Sequence, residues 1–401
     1  MYKPDPKRFH KIYGKKTTRM DYHDKDYADY IIMSLLTALV AYACYGLENI
    51  LGIAGIVLSL IMIVVFPMRH GFKLTIPHIL KHPHEVVLKF VYQIQNMMPV
   101  YFIAIGVLLL ENYFVYLTPD LPHHTETMRE VAFWLLYLHF AGITIYRTRI
   151  FVVHLMRKEK CHEFLMQTVW KRQLRFNDNM TLEVFHAYFT GLLSHILLIA
   201  PWYLVISHTN YSLVFMPVAI IANFFTGKWF LKIFNDWVYR DHWIGHHNAF
   251  DFLYFHGPHH DAIPSGMIAV SGNGPLEGFM RHAMGVPAPF YHPLTAVLAY
   301  SSEVQGDMQG HQFIPGMYPK ADIQFQKMNQ HSMHHFGMIF PLSMALKTDQ
   351  PDVNLDFHPQ FKYLPDEMRN GVRIDEALDN YKWDNPRYNQ YLDLIGQYEE
   401  Q

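Results

Sequence analysis

The sequence predicts an all-α integral membrane protein of about six transmembrane helices, followed by a cytoplasmic helical region dense in histidine. Three observations carry this expectation. Apolar residues make up 51% of the 401-residue chain and charged residues only 17%, against about 25% charged in soluble domains. Apolar runs near the length needed to cross a bilayer recur six times before residue 234. Twelve of the 27 histidines then crowd into the 94 residues from His242 to His335.

Taken in order, residues 1–30 are polar and basic, with eight Lys and Arg, and are expected to be a cytoplasmic segment. They lack the short apolar run and small-residue cleavage site of a secretory leader, so none is expected. A region of transmembrane helices is predicted over 31–234. Its first run covers roughly 30–47 and ends at Gly46; Glu48 and Asn49 mark a tight turn into a second, about 50–67, closed by Pro67. Residues 68–97 mix prolines, histidines and basic residues and are expected to lie at the interface. A third run, about 98–118, contains Glu111, and an ionisable residue at such a place is a functional candidate by default; snorkelling or pairing with His139 is the alternative. The fourth run is about 131–153 and meets Arg147 and Arg149 near its end, the fifth is about 182–206, and the sixth 211–233.

Positive charge orients the array. The loops 1–30, 68–97 and 147–180 carry 8, 4 and 8 Lys and Arg, whereas the opposite loops hold only Arg129. The N-terminus and the histidine region are therefore both expected in the cytoplasm. A balance of 33 basic and 35 acidic residues gives no sign of a nucleic-acid partner. The two cysteines, Cys44 and Cys161, make no disulfide framework.

The histidine region, expected over 235–346 and followed by a polar, aromatic C-terminal tail over 347–401, reads DHWIGHHN, FHGPHHD, an isolated His311, and QHSMHHF. On a helix, residues three and four apart share a face. His242 and His246 meet that rule, as do His331, His334 and His335; His256, His259 and His260 repeat the same spacing. A single histidine is usually an ordinary core or surface residue, but three clustered boxes point to metal. Imidazole suits iron, zinc, copper and nickel, and the region has no cysteine to supply thiolate. Since one zinc takes three or four protein ligands, nine or ten candidates imply two ions side by side. Asp241, Asp261 and Asp307 stand near ligand histidines and are candidates to orient a ring through its second nitrogen.

These boxes resemble the fatty acid hydroxylase/sterol desaturase superfamily of membrane oxygenases, which shows H-x3-H, a closely following H-x2-HH and a later H-x2-HH. The resemblance covers roughly 235–336 and the helices before it; Tyr239 and His311 also sit where that family places such residues. The chain departs from it at 272–277, which reads GNGPLE without the family's histidine before Pro-Leu-Glu, and after box three, where an aromatic, Gly-rich signature is missing. What the resemblance implies is two iron ions, replaceable by zinc during purification, bound by His242, His246, His247, His256, His259, His260, His311, His331, His334 and His335. No catalytic side chain beyond these ligands is assigned. The implied activity is dioxygen-dependent hydroxylation or desaturation of a lipid C–H bond, in the bacterial cytoplasmic membrane or the endoplasmic reticulum. The chain carries no H-P-G-G haem segment, so electrons are expected from a separate protein of cytochrome b5 or ferredoxin type. Within box one, helix geometry favours His246, about 40° from His242, over His247 at about 140°. The family's usual spacing to His256 favours His247, which a π-bulge would accommodate. A metal transporter and a non-catalytic metal-stabilised membrane protein are the alternative functions.

Overall fold

The computed structural model describes residues 27–70, 74, 76–81, 83–156, 180–228, 252–256, 275–279 and 292. Among these residues every regular element is helical and there is no strand. The first pair, α1 (Tyr27–Tyr45) and α2 (Ile50–His70), forms an antiparallel hairpin. Gly46 ends α1: its φ of 72° lies in the left-handed region, and its N–H donates to the Tyr42 carbonyl at 2.8 Å. A left-handed glycine just past the last turn is the usual way a helix stops. Asn49 then caps α2, its side-chain oxygen accepting from the Leu51 N–H at 2.9 Å. Gly52 packs directly on the Gly46 carbonyl, leaving no room for a Cβ.

A short turn, α3 (His78–Lys81), precedes two long helices, α4 (His84–Leu117) and α5 (Thr125–Met156). Both exceed the expected runs. Helix α4 begins fourteen residues before the predicted 98, taking in part of the segment expected to lie at the interface. Helix α5 continues to Met156, so Arg147 and Arg149 belong to the helix rather than to the following loop. Next come α6 (Met180–His208) and α7, a helix described over 216–228. The predicted starts and ends of the first, second and fifth runs fall within three residues of α1, α2 and α6.

Helix α6 is the axis of the molecule. It packs against α1, α2 and α5, and residues 193–200 are buried without a break. A helix apolar on all sides is a core helix, and the run LSHILLIA is that pattern with two polar exceptions, Ser194 and His195. The neighbours stand at different heights along it. The Tyr45 hydroxyl donates to the Ile196 carbonyl at 2.6 Å, and Asn49 donates to the Tyr137 hydroxyl at 3.1 Å, so the α1–α2 turn meets α6 and α5 near their middles. The α4–α5 connection meets the α6–α7 connection farther along. There His123 bonds the Ser212 hydroxyl at 2.8 Å, Thr125 donates to the Tyr211 carbonyl at 3.0 Å, and the Asn210 N–H reaches Asn112. From Ile196 to Asn210 is about 21 Å at helical rise. The hairpin thus stops well short of the end that α4, α5 and α6 reach.

Two helices are long and apolar enough to cross a membrane, α1 and the stretch Val184–His208 of α6; the apolar segments Ile50–Val65 and Phe102–Leu117 are shorter. Large apolar side chains point outward along the bundle: Leu39 is 60% exposed, Leu109 63%, Leu138 63% and Ile145 72%. Glu111, His139, Arg147, His154, His186 and His195 are buried inside it.

Candidate metal centre

Three short stretches after α7 pack into this bundle. The first is a single π-helical turn, Phe252–His256, which leads into the second histidine box. Tyr254 ties it down: its hydroxyl donates to Asp29 at 2.5 Å and accepts from the Ile79 N–H at 3.0 Å. Burial, and the bond to Asp29, push the Tyr254 phenol well above its usual range, so it stays a neutral donor. This fixes the turn at the starts of α1 and α3. The box-one stretch, where a π-bulge would have accommodated His247, lies outside the described residues; the π turn that is described comes ten residues later.

The second stretch is the turn α8 (Pro275–Glu277), continued by Gly278 and Phe279. A Cβ at Gly278 would sit 3.3 Å from the Ser194 carbonyl. Glycine here lets the turn press against the middle of α6. That approach delivers Glu277 to His256, with Oε1 2.8 Å from Nδ1 and both side chains 1% exposed. With Glu277 ionised the carboxylate only accepts hydrogen bonds, which would put a proton on Nδ1 and direct Nε2 away from the pair. A histidine held by a carboxylate through one ring nitrogen is the arrangement that orients a metal ligand.

Of the ten proposed ligands, His256 is the one the structure describes. His242, His246, His247, His259, His260, His311, His331, His334 and His335 lie outside the described residues, as do Asp241, Asp261, Asp307 and Tyr239. Among the described residues no group of three or more His, Cys, Asp or Glu is gathered as a metal cluster would be. The sequence reading missed Glu277, which it noted only as part of the departing GNGPLE stretch. The remaining clue was Pro-Leu-Glu itself, a carboxylate at a fixed distance after box two.

The third stretch is His292, fully buried, whose ring meets Tyr211 edge-on at 5.3 Å between centroids. Tyr211 belongs to the α6–α7 connection. The three described stretches thus meet the bundle at different heights, with Tyr254 at the starts of α1 and α3, Gly278 at the middle of α6 and His292 at the α6–α7 connection.

Inside the bundle, Glu111 does not pair with His139. Its Oε1 accepts from the Ser212 N–H at 2.9 Å, joining α4 to the connection before α7. His139 of α5 packs on His195 of α6 at 5.2 Å, and Phe140 covers the same His195 ring at 5.6 Å. His154 directs Nδ1 at the Ile150 carbonyl of its own helix, 2.8 Å away. Arg147, two turns after His139, is fully buried.

No family model, curated protein or solved structure matches this chain.

Proposed function

We propose that the chain is a membrane-bound oxidoreductase that uses dioxygen to hydroxylate or desaturate a lipid C–H bond at a pair of iron ions. The observation that supports it most directly is the buried His256–Glu277 pair, built into the bundle at the second histidine box. Outward-facing apolar residues on α1, α2, α4 and α5, with charged and imidazole groups turned inward, support a bilayer setting. In this reading the three boxes supply the ligands, from the ten histidines named above, and lie on the cytoplasmic side with the N-terminus. Moving Arg147 and Arg149 into α5 leaves the basic bias of that side strong, with six Lys and Arg still between residues 157 and 180.

The bound irons, reduced by a separate electron-transfer protein, would supply dioxygen-dependent removal of hydrogen from an unactivated C–H bond. The chain's own residues do the rest. Glu277 keeps His256 in one tautomer and one orientation. Tyr254, clamped between Asp29 and Ile79, holds the turn bearing His256 against α1. The close packing of α8 on α6 excludes water from the pair, and a dry, positioned site is the protein's contribution to cofactor chemistry. Comparative lipidomics of a host with and without the gene tests the proposal. A lipid gaining one oxygen or losing two hydrogens, absent with His256→Ala, is the expected result; identical lipid profiles would refute it.

Histidines within α5 and α6 favour one other reading, a carrier of metal cations through the bundle. Arg147 opposes it, because a fixed guanidinium whose field reaches His195 repels a passing cation in a low-dielectric interior. Metal uptake into vesicles containing the protein separates the two.

A further inference from the structure

We propose that Arg147 marks an intramembrane binding site for the carboxylate head of a fatty-acid-type amphiphile, between α5 and α6. Arg147 is 0% exposed, and among the described residues neither its Nε nor its two terminal nitrogens has a hydrogen-bond partner. Among the described residues its field reaches His195 and the Tyr188 hydroxyl, and the His139 ring packs at a tilt on His195. A guanidinium stays protonated in proteins, and burying it with no anion is among the least favourable things a fold can do. An anion that arrives from outside the chain resolves this.

The surroundings narrow its chemistry. One cation balances one negative charge, and a planar carboxylate fits the two parallel N–H donors of a guanidinium. The position is deep: Arg147 lies nine residues from the end of α5, about 13 Å along the helix. Entry is from the lipid side. Thr148 follows Arg147 on the exposed face, and its hydroxyl meets that of Tyr188 at 2.9 Å, forming a polar pair at the α5–α6 seam beside the guanidinium. An acyl chain anchored there would lie along the apolar outer face of the two helices, or pass inward between them.

The site is independent of the metal; only the step from ligand to substrate rests on the proposed oxidase activity. The test uses the full-length protein in nanodiscs with chelator present, so that no turnover contributes. Binding of radiolabelled palmitate is compared with that of hexadecanol and hexadecyl phosphate, in the native protein and in Arg147→Gln. Palmitate is expected to bind the native protein about tenfold or more tighter than either analogue, and Arg147→Gln to abolish that preference. Equal binding of palmitate and hexadecanol overturns the proposal, as does tighter binding of hexadecyl phosphate or a preference that survives in Arg147→Gln. Should Arg147→Gln fail to fold, the three-ligand comparison on the native protein decides alone. A positive result here with unchanged lipids in the host would leave the site standing and remove the oxidase reading; the converse would do the opposite.

Discussion

Replacing Glu277 with alanine is expected to weaken metal binding by about 10–100-fold while leaving every ligand in place. Competition against a coloured chelator measures it. Glu277→Gln keeps an oxygen acceptor for Nδ1 and should fall between the two; an alanine variant with native affinity would mean that the pair is only structural. The two halves of this pair differ in how far the sequence reveals them. His256 stands out through its H-x-x-H-H spacing, because neighbours on one helix face are fixed by local geometry. Glu277 is 21 residues away, and only the packing of Gly278 on Ser194 brings it back. Proximity in the chain favoured Asp241, Asp261 and Asp307 instead. Arg147 was misplaced for a related reason: a positive charge reads as the end of a membrane run, and nothing local shows that it faces inward.

Among elements, the α1–α2 hairpin depends on Gly52. A methyl group there collides with the Gly46 carbonyl and crowds the Tyr45 Cβ, and backbone cannot step aside cheaply. Gly52→Ala should cost about 1–3 kcal/mol, in the range for overpacking. Gly142→Ala in α5, where a Cβ meets nothing within 4 Å, is the matched control and should be neutral or slightly stabilising. Thermal melts in detergent compare the two, and equal shifts would show that the hairpin turn tolerates rearrangement. Helix positions were readable because apolar runs end at punctuation such as Gly46. Lengths were less so: the mixed composition of 84–97 and the loop-like 147–156 concealed the first turns of α4 and the last of α5. Apolar runs report where lipid contact is strong, whereas helices continue for as long as backbone bonding and packing allow.

For the whole molecule, the stagger along α6 bears on how the chain sits in a bilayer. If the α4–α5 and α6–α7 connections lie at one surface, the α1–α2 turn is about 20 Å beneath it, inside a hydrocarbon core about 30 Å thick. Its exposed tip residues Leu47 and Ile50, 62% and 70% accessible, suit contact with lipid. In that placement the hairpin enters from its own side and turns back within the core, although α1 is long and apolar enough to cross. Either way it returns to its own side, so the inferred sidedness is unchanged. In a background lacking Cys44 and Cys161, a membrane-impermeant maleimide applied to intact cells should label Asp120→Cys and spare Glu48→Cys. Labelling at both positions would restore two full crossings.

The central claim, a two-ion histidine centre within a membrane bundle, meets its most direct test in metal analysis of the full-length protein purified without oxygen. The account predicts two iron ions per chain, and fewer than one in His256→Ala, with the variant still inserted in the membrane. One ion or none in the native protein, or two ions retained by His256→Ala, would contradict it.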